Sequence, residues 1–289
     1  MVAHPATTST LDIGDVRLTF VPDGSIHMAP ETFYAEVGAD LLTENPHLLD
    51  EQGNLVMSLG ALLVETAGRR ALVDLGWGPS VLDIAEITGR PGGGTIRGGA
   101  MLENLAGLGV RPSDIDAVLL THLHLDHVGW LTSPGHAGGA AMVFDRAEYF
   151  LTEAEWDFWQ PVGGVSRRGG PDGARLELMG SRLSLLEDGA APLPGVNAMH
   201  TPGHTPGHCS FVVSSGTERA IVLGDTIHCP LEVSHPELTL LGDVDRAAGR
   251  ATRDRLAAEL SEGAVAVGTH FPDVVFGRVL GGIGGRRLA

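Results

Sequence analysis

The chain has 289 residues, with 36 acidic against 19 basic side chains and a formal charge of −17. That balance argues against a binder of nucleic-acid backbone and against a binder of anionic membranes, since both need a basic surface. Hydrophobic residues make up 43% and charged residues 19%, so the chain can bury a core and is not disordered by composition.

The counts of 41 Gly and 17 Pro favour a loop-rich fold over a helical bundle. The two cysteines, Cys209 and Cys229, are too few for a disulfide framework and read as small buried thiols. Residues 1–11 show neither the basic nor the apolar region of an export signal. The longest apolar stretch, 55–64, is interrupted by Ser58 and Gly60 and is too short to span a bilayer. A cytoplasmic protein forming one domain over 1–289 is the expectation.

In chain order, residues 15–21 alternate and end at Pro22-Asp23-Gly24, which predicts a strand and a turn. Residues 25–54 are polar and irregular and read as a long loop with a short helix. Residues 58–65 and 70–75 read as strands joined at Ala67-Gly68-Arg69, and the glycine-rich run 89–99 as a flexible connection. Met101, Leu102, Leu105 and Leu108 recur at helical spacing and stop at Gly109. A strand is expected at 116–120 and another at 141–144, then a helix over 148–160 with Asp145 as its N-cap. Residues 163–173 read as loose. Further strands are expected at 210–213, 220–223 and 264–267, and a helix over 244–260. Hairpin-like groups come first and strands alternate with helices later, the pattern of a layered α/β domain.

The histidines carry more information. Of 13 in the chain, six fall in two clusters, His122, His124, His127 and His200, His204, His208. The first cluster reads Thr121-His122-Leu123-His124-Leu125-Asp126-His127 and follows an apolar strand. On a continuing strand His122 and His124 point to one side, and a turn can aim Asp126 and His127 at a neighbouring point. Imidazole and carboxylate are zinc-type ligands, and four of them exceed what one catalytic metal with three protein ligands needs. Two adjacent metals are the reading.

This motif resembles the His-x-His-x-Asp-His signature of the metallo-β-lactamase superfamily. Other parts of that family's pattern follow in the family's order: Val73-Asp74-Leu75-Gly76 before it, then Pro202-Gly203-His204, Leu223-Gly224-Asp225 and Gly268-Thr269-His270. The resemblance covers about residues 55–275 and implies a four-layer αββα sandwich with the site along one edge. It implies that His122, His124 and His204 hold one metal, that Asp126, His127 and His270 hold a second, and that Asp225 bridges them. Asp74 would brace the His122 loop without touching metal. His208 is expected beside the site rather than as a ligand. His4, His27, His47, His136, His200 and His235 carry no motif and read as surface or loop residues. Cys209 and Ser210 form no nucleophilic triad and read as structural.

The implied cofactors are two divalent metal ions, zinc first, with iron, manganese and cobalt accepted by the same ligands. The implied chemistry is hydrolysis of a small-molecule lactone, ester or related electrophile by a metal-bridging hydroxide, with Asp126 and His228 as catalytic side chains. His228 falls three residues after Asp225, where acyl-homoserine lactonases have a Tyr and the methyl-parathion-hydrolase-like branch has Gly-Asp-x-Ile-His. A phosphotriesterase-like or β-lactam hydrolase, or a mononuclear iron sulfur dioxygenase-like oxidoreductase, are the rivals. No glutathione-binding helical domain, RNA-processing insertion or flavodoxin domain is visible. Phe33, Tyr34, Trp77, Trp130, Trp156, Trp159 and Phe271 are the candidate pocket walls. Neither a nucleic-acid nor a membrane partner is expected, and a homodimer is compatible with the sequence.

Overall fold

The computed structural model describes residues 2–88, 93–133, 141–282 and 285–289. Among these residues, one sheet has nine strands and a second has six. The first sheet is organised around Leu55–Thr66, a strand buried along almost its whole length. Val16–Met28 and Arg69–Val73 pair with it antiparallel on either side. Its side chains alternate between two cores. Leu62 and Val64 face the second sheet, where they meet Phe211, Val213 and Val222. Ala61 and Leu63 face the opposite way, toward Met101 and Leu105 of the helix Met101–Gly107 and Leu176 and Met179 of the helix Gly173–Gly180. The period-two alternation of a strand accounts for this division, and a strand covered on both faces must be apolar on both. The far face of the second sheet packs Ile221 and Ala266 against Leu256 and Leu260 of the helix Arg246–Leu260. The result is the expected four-layer αββα sandwich.

The hairpin between Leu55–Thr66 and Arg69–Val73 turns on Ala67 and Gly68, both at positive φ, as a two-residue hairpin turn requires. Cys209 and Cys229 are free and buried, and burial pushes both thiols up to about 12. His136 and the glycine-rich residues 89–92 lie outside the described residues.

Several expectations need correction. The strand does not stop at Pro22-Asp23-Gly24 but continues to Met28 through a register shift there, and Gly94–Arg97 pairs on its far end. A bulge re-aims a side chain, and here it turns Asp23 inward. Asp23 is buried, and its carboxylate accepts hydrogen bonds from the backbone N–H of Trp77, Gly78, Gly99 and Met101 and from Trp130 Nε1–H, at 2.8–3.0 Å. No cation stands among these contacts; the donors alone compensate its desolvation. Asp23→Ala orphans all of them, and an expected loss of at least about 3 kcal/mol follows from leaving several buried donors unpaired. Urea denaturation of the variant measures it, and a loss of a few tenths would remove Asp23 as an organising residue.

The segment 25–54 is likewise more ordered than a loop, with short helices at Pro30–Phe33 and Ala39–Glu44 after the strand. Residues 141–144 form no strand, only a single bridge between Thr132 and Met142. The helix expected over 148–160 divides into a strand, Glu148–Thr152, and a helix, Glu153–Trp159. The strand runs parallel between Ala117–Leu119 and Leu183–Leu186, and this pairing overrides the local helical pattern. The N-cap is therefore Thr152, whose Oγ1 accepts from Glu155 N–H, and not Asp145. The later helix begins at Arg246, capped by Asp245. The helix Gly173–Gly180 and the strands Leu183–Leu186, Val196–His200 and Phe276–Gly282 were not foreseen.

Candidate metal centre

The centre forms where parallel strands end. Arg69–Val73 and Ala117–Leu119 are parallel neighbours in the first sheet, and Glu218–Val222 and Val265–Val267 are parallel neighbours in the second. Their carboxyl ends deliver Asp74, the 121–127 segment, Asp225 and His270, and the segment 201–208 joins them after Val196–His200. In α/β folds ligands bind outside the carboxyl ends of strands, because side chains from different loops converge there.

All seven sequence-predicted ligands are brought together, in two groups. His122, His124, His204 and Asp225 place one ligand atom each within 4.8 Å of one another, and so do Asp126, His127, His270 and Asp225. In the first group, His124 Nδ1 lies 2.9 Å from His122 Nε2 and 2.8 Å from His204 Nε2. In the second, His127 Nε2 and His270 Nε2 are 3.2 Å apart. Asp225 stands between the groups. Its Oδ2 lies 3.3 Å from His204 Nε2 and 3.6 Å from His122 Nε2, and its Oδ1 lies 3.0 Å from His270 Nε2 and 3.1 Å from His127 Nε2.

The outer nitrogens show what the inner ones offer. His270 Nδ1 donates to the Ser58 carbonyl at 2.8 Å, which can only accept. His127 Nδ1 donates to Asp74 at 2.8 Å and His204 Nδ1 to Asp243 at 3.2 Å. Thr121 Oγ1 gives its proton to Asp74, so it accepts from His122 Nδ1 at 3.0 Å. In the neutral form of these four imidazoles the proton is therefore outside and the Nε2 lone pair points inward, whereas His124 turns its Nδ1 inward, the arrangement that metal-binding histidines use. Converging lone pairs cannot satisfy one another, and buried Asp225 Oδ1 has no well-aligned hydrogen-bond donor. The donor set fits divalent cations of the zinc type.

Electrostatics agree with this. Burial holds His122 well below the ordinary imidazole range and His124 at about 3, so both are neutral. Burial also opposes charge on His127 and His204, but Asp225 and the other nearby carboxylates outweigh it and raise both. The same carboxylates that favour protons on these imidazoles favour metal cations, and metal binding takes the place of those protons.

Asp74 is a brace, as expected. It sits at φ 61°, a conformation Asp tolerates better than most residues, and accepts from Thr121 N–H and Oγ1–H as well as from His127. His208 is fully buried, and its Nε2 accepts from Asp225 N–H at 2.9 Å, which excludes that nitrogen from metal binding and orients the Asp225 loop. His27 and His200 belong to strands rather than loops.

His228 borders the centre without joining either group. Its Nε2 lies 3.1 Å from Asp225 Oδ2, its backbone N–H donates to Glu232 at 2.9 Å, and its ring stacks on His270 and meets Phe33 edge-on. Burial disfavours its charged form, yet Asp225 and Glu232 push it up to about 10.

A pocket of about 440 Å³ opens onto His124, Asp126, His204, Asp225, His228 and His270, with walls from Ile26, Met28, Phe33, Trp77, Leu82 and Ile96. Of the aromatic residues expected there, only Phe33 and Trp77 line it. Trp130 is tied to Asp23, Tyr34 donates to buried Glu232, and Trp159 donates to Glu155 with its ring edge-on to His124. Phe271 packs under the second sheet and Trp156 against the first-sheet core.

Sequence reasoning missed the supporting residues. Asp243 is held by Arg253, itself buried, at 3.0 Å and passes that constraint to His204. Glu155 and Glu232 were also missed. The spacing Thr152-x-x-Glu155 is a helix-start signal that was available, although Glu155 spends its carboxylate elsewhere. No comparable signal marks the other two.

Fold and centre together define a two-sheet sandwich protein with a pair of metal-ligand groups sharing one carboxylate at the strand ends. A sequence profile of the metallo-beta-lactamase superfamily matches residues 61–270, and the chain belongs to that superfamily. It is 30% identical over 142 residues to the N-acyl homoserine lactonase AttM of Agrobacterium fabrum (strain C58), 47% of this chain and 49% of that protein. It is 35% identical over 112 residues to the AttM of Azorhizobium caulinodans, 37% of this chain and 38% of that one. The chain thus spans half or less of the length of these curated relatives. Its fold is similar to that of AidC, a dizinc quorum-quenching lactonase solved with a product, at a TM-score of 0.80 and 24% identity over 98% of this chain and 97% of that one. The hydrolase AbOPH is similar at a TM-score of 0.77 and 23% identity, with the same coverage. These structural likenesses show the fold. Among the described residues no helix is long and apolar enough to cross a membrane.

Proposed function

We propose that this chain is a dinuclear metal-dependent hydrolase, working as one domain, that opens a lactone carrying an apolar substituent or cleaves a related ester. The observation that carries the reading is Asp225, whose two oxygens face two separate ligand groups at the floor of an apolar pocket. The lactonase relatives, matched over part of their length, support lactones as the first substrate class.

In this reading His122, His124 and His204 would hold one ion, Asp126, His127 and His270 the other, and Asp225 would serve both, with zinc as the resident metal. Two such ions, when bound, would supply the chemistry of hydroxide formation near neutral pH and of carbonyl polarisation. The chain's own residues do the rest. The walls at Ile26, Met28, Phe33 and Ile96 take the apolar substituent and exclude water from it. Asp126, the most exposed carboxylate of the centre, faces the pocket and meets the reacting end of the substrate. His228 Nε2 hydrogen-bonds the reacting oxygen and hands it a proton as the ring opens. The buried free thiols suit a reducing compartment, and a cytoplasmic location goes with the reading. His228, standing where lactonases have a Tyr, favours aryl esters and phosphotriesters as the second substrate class.

Elemental analysis combined with a hydrolysis screen over lactones, aryl esters, phosphotriesters and β-lactams tests this. The expected result is close to two metal equivalents per chain, with turnover highest on lactones and abolished by chelation. A stoichiometry that stays at one after metal is supplied sinks the dinuclear assignment, and turnover confined to β-lactams sinks the substrate assignment.

A further inference from the structure

The carboxylates behind the two ligand groups are not equivalent. Asp74 reaches both groups, His127 directly and His122 through Thr121. Glu155, a fully buried residue of the short helix Glu153–Trp159, reaches the first group alone. Glu155 Oε1 accepts from Leu123 N–H at 3.0 Å and from Trp159 Nε1–H at 2.6 Å. Its Oε2 accepts from Thr205 Oγ1–H at 2.6 Å and from Gly207 N–H at 3.2 Å.

Three of these four partners share one property. Leu123 lies between His122 and His124, Thr205 follows His204, and the Trp159 ring stands edge-on to His124 with centroids 5.4 Å apart. Each histidine of the first group is thus next to, or in contact with, a group that Glu155 holds. The helix start locks onto the same loop directly, because Thr152 Oγ1–H donates to the Gly207 carbonyl at 2.6 Å. A Cβ on Gly207 would lie 2.0 Å from Glu155 N, so the close approach of loop and helix requires glycine there. None of these bonds reaches His127, Asp126 or His270.

We propose that Glu155 is the positioning residue of the first group: it ties residues 122–124 to the 201–208 segment and so sets the metal affinity of His122, His124 and His204 without setting that of the second group. This rests on the reading that both groups bind metal. A carboxylate that accepts on both oxygens cannot be replaced by an amide, because the NH₂ end of Gln faces two donors and leaves at least one of them unpaired. Substitutions in the shell behind metal ligands typically cost about 10–100-fold in affinity.

The test is chelator competition with Zn²⁺ and Co²⁺ on the wild type and on Glu155→Gln, with His204→Ala and His270→Ala as references for loss of either group. The wild type is expected to take two ions. Glu155→Gln is expected to bind one of them about 10–100-fold more weakly. Its one-ion cobalt spectrum should match that of His204→Ala. Retention of both ions at wild-type affinity, equal weakening of both, or a spectrum matching His270→Ala overturns the role of Glu155. A wild type that takes fewer than two ions overturns the dinuclear reading instead. If Glu155→Gln does not fold, Thr205→Val and Trp159→Phe decide. Each removes a single donor to Glu155 and is expected to weaken the same ion by a smaller factor, and no change in either variant overturns the proposal.

Discussion

Asp225→Ala is expected to lower turnover by at least about 10²–10³-fold, the scale of removing one preorganised electrostatic group from an active site. The reason is geometric. Its Oδ1 serves His127 and His270, and its Oδ2 serves His204 and His122, so one truncation takes a ligand from both groups. The fold should survive, because the strand end that carries Asp225 is also held through its backbone N–H on His208. Circular dichroism should therefore be unchanged while metal content falls below two equivalents. Asp225→Asn separates the two oxygens: its amide NH₂ must face one group, and retention of a single ion is expected. Near-normal turnover by Asp225→Ala with both ions retained would rule out the bridging role.

His228→Ala is the second large effect, expected at about 10²–10⁴-fold in kcat, the range for a positioned proton donor. Metal content should be intact, since His228 belongs to neither ligand group. The loss should be greater for an alkyl lactone than for a nitrophenyl ester, whose leaving oxygen needs little protonation. His228→Tyr should restore part of the lactone activity, because a donor at the pocket floor is what the reaction needs there. Equal and small losses on both substrates would show that His228, packed between Phe33 and His270, only fills the pocket wall. The rate would then rest on the metal centre alone.

The seven residues that the structure gathers into two groups were legible in the sequence because metal-binding side chains are few and chemically distinctive. His122, His124, Asp126 and His127 lie on one short segment and were marked by their own spacing, whereas His204, Asp225 and His270 were marked by the order of motifs that the family resemblance implies. The hairpin at Ala67-Gly68 was legible from its own residues. What only the tertiary structure decided are the contacts between segments far apart in the chain. Glu148–Thr152 reads as helix and becomes a strand because Ala117–Leu119 and Leu183–Leu186 flank it. The turn expected at Asp23 becomes a bulge because donors from residues 77, 78, 99, 101 and 130 converge on its carboxylate. Glu155 and the Asp243–Arg253 pair support histidines that local spacing cannot connect to them. Most of what Asp23 and Glu155 hold is backbone N–H, which every residue but proline carries and no sequence pattern distinguishes. A metal ligand is identified by its side chain, whereas a brace is identified by what folding brings to it.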